Sequence, residues 1–245
     1  MDRFAAARLK VKRANKHIAD LEAIVSGLPE AYIASVEPNE GGGETIKYSA
    51  PDVSEISGVM ALIIGDAIHN LRVAIEYAYL GAVEIHAPSV LDKHTKFPVG
   101  KTRNDVESAL KNRKIDVLSP KLFDRIVSEI QPYEDRNCLV VFLHDLDVRD
   151  KHWLLTPLLQ LSWVHDIVVQ NEKGEIVTGE SYPIPGHGTF WFDFGPGCKV
   201  KDKGKITLDV VFNDYFLLKG MPIVNDLKDF AKIANYIIDR LSTII

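Results

Sequence analysis

Both ends of the 245-residue chain carry an apolar stripe that alternates by threes and fours, and no other feature limits the fold as much. Near the N-terminus the stripe is Phe4, Ala7, Val11, Ala14, Ile18, Leu21 and Val25. Near the C-terminus it is Leu227, Phe230, Ala234, Ile237, Leu241 and Ile244, following Asn225 or Asp226 as N-cap. An apolar residue on every turn forms a seam along one side of a helix, and such a seam needs a second helix laid lengthwise against it. Gly27 and Pro29 stop the first helix. The two terminal helices therefore pack on each other, on a third helix, or on a second copy of the chain as a homodimer. A device shared by both ends predicts a single α+β domain over residues 1–245.

Between the seams the texture changes twice. "AYIASVEPNEGGGETIKYSA" predicts two short strands around a Gly-rich loop. A long helix follows over about 54–85 with Ser54 as cap, then a polar helix over 103–117. Ser119-Pro120 opens another through Ile130 that buries Leu122, Phe123, Ile126 and Val127. A helix over about 136–149 buries Leu139, Phe142, Leu143 and Leu146. From about 154 to 218 the pattern is that of an antiparallel sheet, with hairpins turning at Gly174 and Gly204. The aromatic row Phe190, Trp191, Phe192 and Phe194 is read as strand core. The expected architecture is a helical bundle, from about 1–150 and 225–245, carrying that sheet.

Composition narrows the function classes. Hydrophobic residues at 46% and charged residues at 26% are ordinary for a soluble globular chain. The longest uncharged apolar run, "ISGVMALIIG", is far short of the roughly 20 residues of a membrane span. The charged start lacks a secretory h-region, and Cys138 and Cys198 have no metal-like spacing, so a cytoplasmic protein without a membrane partner is expected. The net charge of −5 conceals a basic cluster, Arg3, Arg8, Lys10, Lys12, Arg13 and Lys16, suited to nucleic acid phosphates or to a solvated face.

The long central helix carries "GDAIHNLRVAIEY". At roughly 100° per residue, Met60, Ile64, Ala67, Leu71, Ala74, Ile75 and Ala78 gather on one face. Asp66, His69, Asn70, Arg72, Glu76 and Tyr77 take the other, with Arg72 and Glu76 at pairing distance along the helix. A second polar cluster, "HDLDVRDKHW", holds His144, Asp145, Asp147, Arg149, Asp150, Lys151 and His152 at a helix end. Asp66 with His69 and His144 with Asp147 are carboxylate–imidazole pairs at i,i+3. If the two helices face each other, those four side chains make a candidate metal set. The same residues also suit a structural hydrogen-bond network in which Asp150 fixes Arg72 or His69. "GGG" at 41–43 lacks the lysine of a phosphate loop, and the lone His187 is read as structural or exposed.

The order G-D-x-x-H-N-L-R-x-A-[LI]-[DE], then F-P, I-Q-P-Y and L-x-x-L-D-x-x-D-K-H resembles a family of bacterial and phage-associated proteins without a characterised activity. The matching residues are Gly65 to Glu76, Phe97-Pro98, Ile130 to Tyr133 and Leu143 to His152. The resemblance implies that His69, Asn70, Arg72, Asp150, Lys151 and His152 form one constellation. A second resemblance is to HEPN-type helical bundles, many of them ribonucleases with an R-x4-H helix. In this chain Arg72 is present and Tyr77 stands at the histidine position. That resemblance implies recognition of RNA or another phosphate-bearing ligand, and metal-independent phosphodiester cleavage with no cofactor. His69 or His152 would be acid or base, Arg72 and Lys151 would bind phosphate, and Asn70 or Asp150 would orient the imidazole, with Glu76 beside the ligand.

Overall fold

The computed structural model describes residues 2–50, 52, 54–153, 155, 157–185, 188–212 and 222–244. The chain is α+β, and it divides into two compact units. One comprises residues 1–20, 61–155 and 224–245, and the other 21–60 and 156–223.

The first unit is helical. Its elements are α1 (Arg3–Gly27, to residue 20), α2 (Ser54–His86, from residue 61), α3 (Arg103–Asn112), α4 (Ile115–Leu118), α5 (Pro120–Asp124), α6 (Cys138–Asp150) and α7 (Ile223–Ser242). The seams are buried: Ala7, Val11, Ala14 and Ile18 in α1, and Leu227, Phe230, Ala234, Ile237 and Leu241 in α7. These side chains are covered within the chain. Asn225 and Asp226 lie inside the first turn of α7, not at its cap.

The predicted polar helix over 103–117 is interrupted. Thr102 and Asp105 cap α3 reciprocally, and Lys114 adopts a left-handed conformation (φ 58°) that separates α3 from α4. Ser119 caps α5, whose continuation through Arg125–Ile130 widens to a π-helix before Gln131 reverses the chain at φ 53°. In α6 the buried set is Val140, Val141, Leu143, Leu146 and Asp147, with Leu139 and Phe142 half-buried.

α2 is amphipathic as expected: Ile64, Ala67, Ile68, Leu71, Ala74, Ile75, Ala78, Tyr79, Ala82 and Val83 are enclosed and Asp66 and His69 are exposed, but Arg72 of the polar face is buried. By length and composition the helix is apolar enough to cross a membrane, but over half of that stretch is buried inside the chain. Counting only uninterrupted apolar runs hides this, because Asp66, Arg72 and Glu76 break the run without lowering its average much.

The second unit holds three antiparallel sheets of three strands among the described residues. Strands β1 (Ile33–Pro38) and β2 (Glu44–Ser49) form the predicted Gly-rich hairpin, and β2 pairs with β7 (Thr189–Asp193). The hairpin therefore groups with the strands, not with the helical core over 1–150 to which its position in the sequence assigned it. Strand β3 (Pro157–His165) lies between β6 (Tyr182–Pro185) and β9 (Lys205–Phe212). Strand β4 (Val168–Gln170) lies between β5 (Ile176–Thr178) and β8 (Lys199–Asp202).

The turn at Gly174 makes the expected hairpin, but the turn at Gly204 does not. Strands β8 and β9 flank it and pair with β4 and β3 respectively, so two neighbouring strands change sheets together at a corner. Gly204 sits there at φ +78°, where a Cβ would lie 2.4 Å from the His165 carbonyl oxygen. The core of this unit gathers Tyr32, Ile46, Tyr48, Val164 and Ile167, with Phe190, Phe192 and Phe194 packed against them. Trp191, on the opposite pleat of β7, is exposed. The predicted sheet residues 213–218 and the lone His187 lie outside the described residues.

Candidate functional site

The site belongs to the helical unit and is built from α2, α6 and the loop between α2 and α3. On α2, His69, Arg72 and Glu76 are spaced by three and four, which stacks them along one side. On α6 and its last turn, His144, Asp147 and Lys151 have the same spacing. Together with Lys93, Thr95 and Lys96 of the loop they line a cavity of about 350 Å³.

Arg72 is the centre of the arrangement and is 5% exposed. Its Nη2 pairs with Glu76 Oε1 at 2.6 Å and reaches the Phe97 carbonyl oxygen at 3.5 Å. The second Glu76 oxygen accepts the Phe97 backbone N–H at 2.7 Å, so one carboxylate fixes both the guanidinium and the loop. Arg72 Nε donates to His144 Nδ1 at 3.2 Å. Nη1 is buried and has no hydrogen-bond partner among the described residues. An orphan donor of this kind costs about 1–3 kcal/mol where nothing fills its place.

The two histidines of the cavity have opposite kinds of partner. A guanidinium only donates, so His144 must accept at Nδ1, and the neutral ring then carries its proton on Nε2. Burial, followed by the neighbouring Arg72 charge, pushes the His144 pKa below the ordinary imidazole value, which keeps the ring neutral. At His69 the partner is a carboxylate. Asp147 Oδ1 accepts from His69 Nδ1 at 2.9 Å while Oδ2 accepts from Lys151 at 2.6 Å. Neutral His69 therefore presents Nε2 as a lone-pair nitrogen, and neutral His144 presents an N–H. One ring is an acceptor and the other a donor.

No protein-family model, curated protein or solved structure matches this chain. What the site does must come from its geometry.

That geometry brings together His69, Arg72, Glu76, His144, Asp147 and Lys151 of the candidate residues and leaves Asp66, Asn70, Asp150 and His152 outside the cavity. Asp150 does not orient an imidazole. Its carboxylate lies against Gly65, where a Cβ would be 2.5 Å from Oδ2, and burial with Asp147 and Asp66 nearby raises its pKa. Asp147, one turn earlier, orients His69 instead. Asn70 accepts a hydrogen bond from Lys10 of α1 at 3.1 Å and donates to the Asp66 carbonyl at 2.7 Å, away from the cavity. His152 is exposed and lines a different depression with Asp145, Val148, Arg149 and Trp153. Tyr77 lines a third, against Asp2, Arg3, Phe4 and Ala6 of the N-terminal segment. Five residues on from Arg72 is about 140° around the helix, so a histidine at that position would not meet this cavity.

Of the alternative metal set, His69, His144 and Asp147 line the cavity and Asp66 does not. His144 Nδ1 is taken by Arg72, and among the described residues no three His, Cys, Asp or Glu side chains converge as metal ligands do. The basic N-terminal helix is partly committed as well. Arg3 pairs with Glu84 and Arg8 with Asp239, while Lys12, Arg13 and Lys16 are exposed.

Sequence reasoning weighed His144 only as a metal ligand and gave Lys93 and Lys96 no role. The available signal was Phe97-Pro98 in the resemblance, which marks the loop that Glu76 clamps.

Proposed function

We propose that the helical unit recognises a phosphate group of RNA in this cavity and that His69 makes metal-independent cleavage of the strand chemically accessible. The observation that carries the proposal is the convergence of Arg72, Lys93, Lys96 and Lys151 with two histidines on one cavity. Phosphate oxygens satisfy such donors, and arginine is the side chain best shaped to offer them. In the catalytic form His69 Nε2 takes the proton of a 2′-hydroxyl as that oxygen attacks phosphorus. Arg72 and the His144 Nε2–H carry the charge on the phosphate, and the departing 5′-oxygen takes a proton from solvent. This gives His144, from a second helix, a share of the charge-stabilising part that the HEPN resemblance assigns to Arg72. We take the setting to be the cytoplasm of a bacterial or phage system, with Lys12, Arg13 and Lys16 as further contacts to the strand.

A second reading is structural. Arg72, Glu76 and Phe97 tie α2 to the loop, and Arg72 with His144 ties α2 to α6, which is the form of a locking network. Incubation with total RNA, with and without a chelator, separates the readings. Binding is expected for the wild type and for His69→Ala, with cleavage independent of chelator and confined to the wild type. Failure to bind or cleave RNA overturns the proposal in favour of the structural reading, and cleavage abolished by chelator overturns its metal independence.

A further inference from the structure

The cavity carries more positive charge than its own carboxylates balance. Arg72 is paired with Glu76, and Lys151 with Asp147. Lys93 and Lys96, both exposed, line the same cavity and form no ion pair among the described residues. The nearest carboxylate in sequence, Asp92, is committed elsewhere. It accepts from the His94 backbone N–H at 2.8 Å, from Arg113 at 3.0 Å and from the Thr95 hydroxyl at 3.0 Å. Leaving the histidines aside, two cationic charges are left over.

Those two lysines are not on a loose segment. Arg113 reaches the Val90 carbonyl and the Thr95 hydroxyl as well as Asp92. Thr95 is buried and also donates to the Val90 carbonyl at 3.1 Å. Two residues on, Glu76 holds the Phe97 N–H, and the Phe97 ring packs edge-on to Tyr79 at 5.7 Å. The backbone on either side of Lys96 is thus anchored, and so is that of Lys93 between Asp92 and His94. The lysine stems start from fixed points around the Arg72 guanidinium.

An internal phosphodiester brings one negative charge, whereas a phosphate monoester at a chain end brings about 1.5 to 2 at neutral pH. A cavity of about 350 Å³ also suits one end group better than a run of nucleotides. We propose that Lys93 and Lys96 select a terminal phosphate monoester, so that the RNA is recognised by a phosphorylated end. This inference rests on the RNA reading above and names the part of the strand that occupies the site: the end monoester lies at Lys93 and Lys96, and the phosphodiester next to it lies at Arg72.

The test uses the full chain and three 2′-O-methyl oligoribonucleotides of one sequence, which lack the hydroxyl needed for cleavage. One carries a 5′-phosphate, one a 3′-phosphate, and one hydroxyls at both ends, and binding is followed by calorimetry at fixed salt. A phosphorylated strand is expected to bind roughly tenfold tighter than the hydroxyl-ended one, the factor one extra charge contributes near an ammonium in a water-filled cleft. The arm that gains identifies the end. Lys93→Ala with Lys96→Ala is expected to remove that preference. Equal affinity for all three strands overturns end selection while leaving RNA recognition intact. A preference that survives the double substitution overturns the role of the lysines. Absence of binding by any strand overturns both proposals.

Discussion

Replacing Arg72 by methionine removes the charge at the centre of the site while keeping an unbranched side chain in the space. Three contacts are lost: the 2.6 Å pair with Glu76, the 3.2 Å bond to His144 and the weak 3.5 Å contact with the Phe97 carbonyl. Breaking a buried ion pair by deleting one partner costs about 3–5 kcal/mol, because the other charge remains buried. Glu76 retains the Phe97 N–H and about a fifth of its side-chain exposure, which brings the expected loss to about 2–4 kcal/mol. For a chain of this size that is a fall in Tm of about 4–16 °C. Urea unfolding followed by far-ultraviolet circular dichroism measures it. Adding Glu76→Gln should restore about 1–2 kcal/mol, since the amide can still accept from Phe97 without an unpaired charge. His144 provides an independent readout by NMR titration of its ring. Arg72 contributes to its lowered pKa, so the ring should titrate at higher pH in the variant than in the wild type. A loss below about 1 kcal/mol, or a double variant no better than the single one, would refute a buried, paired Arg72.

Two further outcomes follow from other positions. Burial, with Asp229 nearby, pushes the Asp226 pKa up to about 6, and Oδ2 is buried without a partner among the described residues. The folded state then binds the proton more tightly than the unfolded one, so this group removes stability as pH rises from about 4 to 6. Asp226→Asn should flatten that decline and raise stability at pH 7 by about 1–3 kcal/mol, seen as the difference between denaturation midpoints at pH 4 and pH 7. His144 acts in the opposite sense, its depressed pKa costing stability as pH falls below about 6.5, so the comparison is made in the His144→Gln background as well. Tyr77→His should leave RNA cleavage and binding unchanged, because residue 77 faces the N-terminal segment. A gain of activity would show that the position communicates with the cavity after all.

The helices and most strands are legible in the sequence because their signals are local. Seam spacing, the Ser119-Pro120 start, the Gly-rich hairpin and the turn at Gly174 each depend on residues within a few positions of one another. The corner at Gly204 is different. Its glycine is visible in the sequence, but whether the flanking strands pair with each other or with β3 and β4 depends on partners about 30 to 55 residues away. The placement of the first hairpin beside β7 is of the same kind, since no residue between 33 and 49 names its third strand.

For the site, the sequence determined which polar side chains share a face: His69, Arg72 and Glu76 on α2, and His144, Asp147 and Lys151 at the end of α6. Helical periodicity alone sets those groupings. Tertiary structure decided the partners. A helical wheel distinguishes one side from another but not water from a neighbouring helix, so it left Arg72 on a polar face when packing buries it. Packing also chose Asp147 over Asp150 for His69, a difference of three residues and less than one turn. It brought His144 to Arg72 across 72 positions of chain and set two loop lysines beside them, because contacts at such separations are made by the rotation and docking of whole helices.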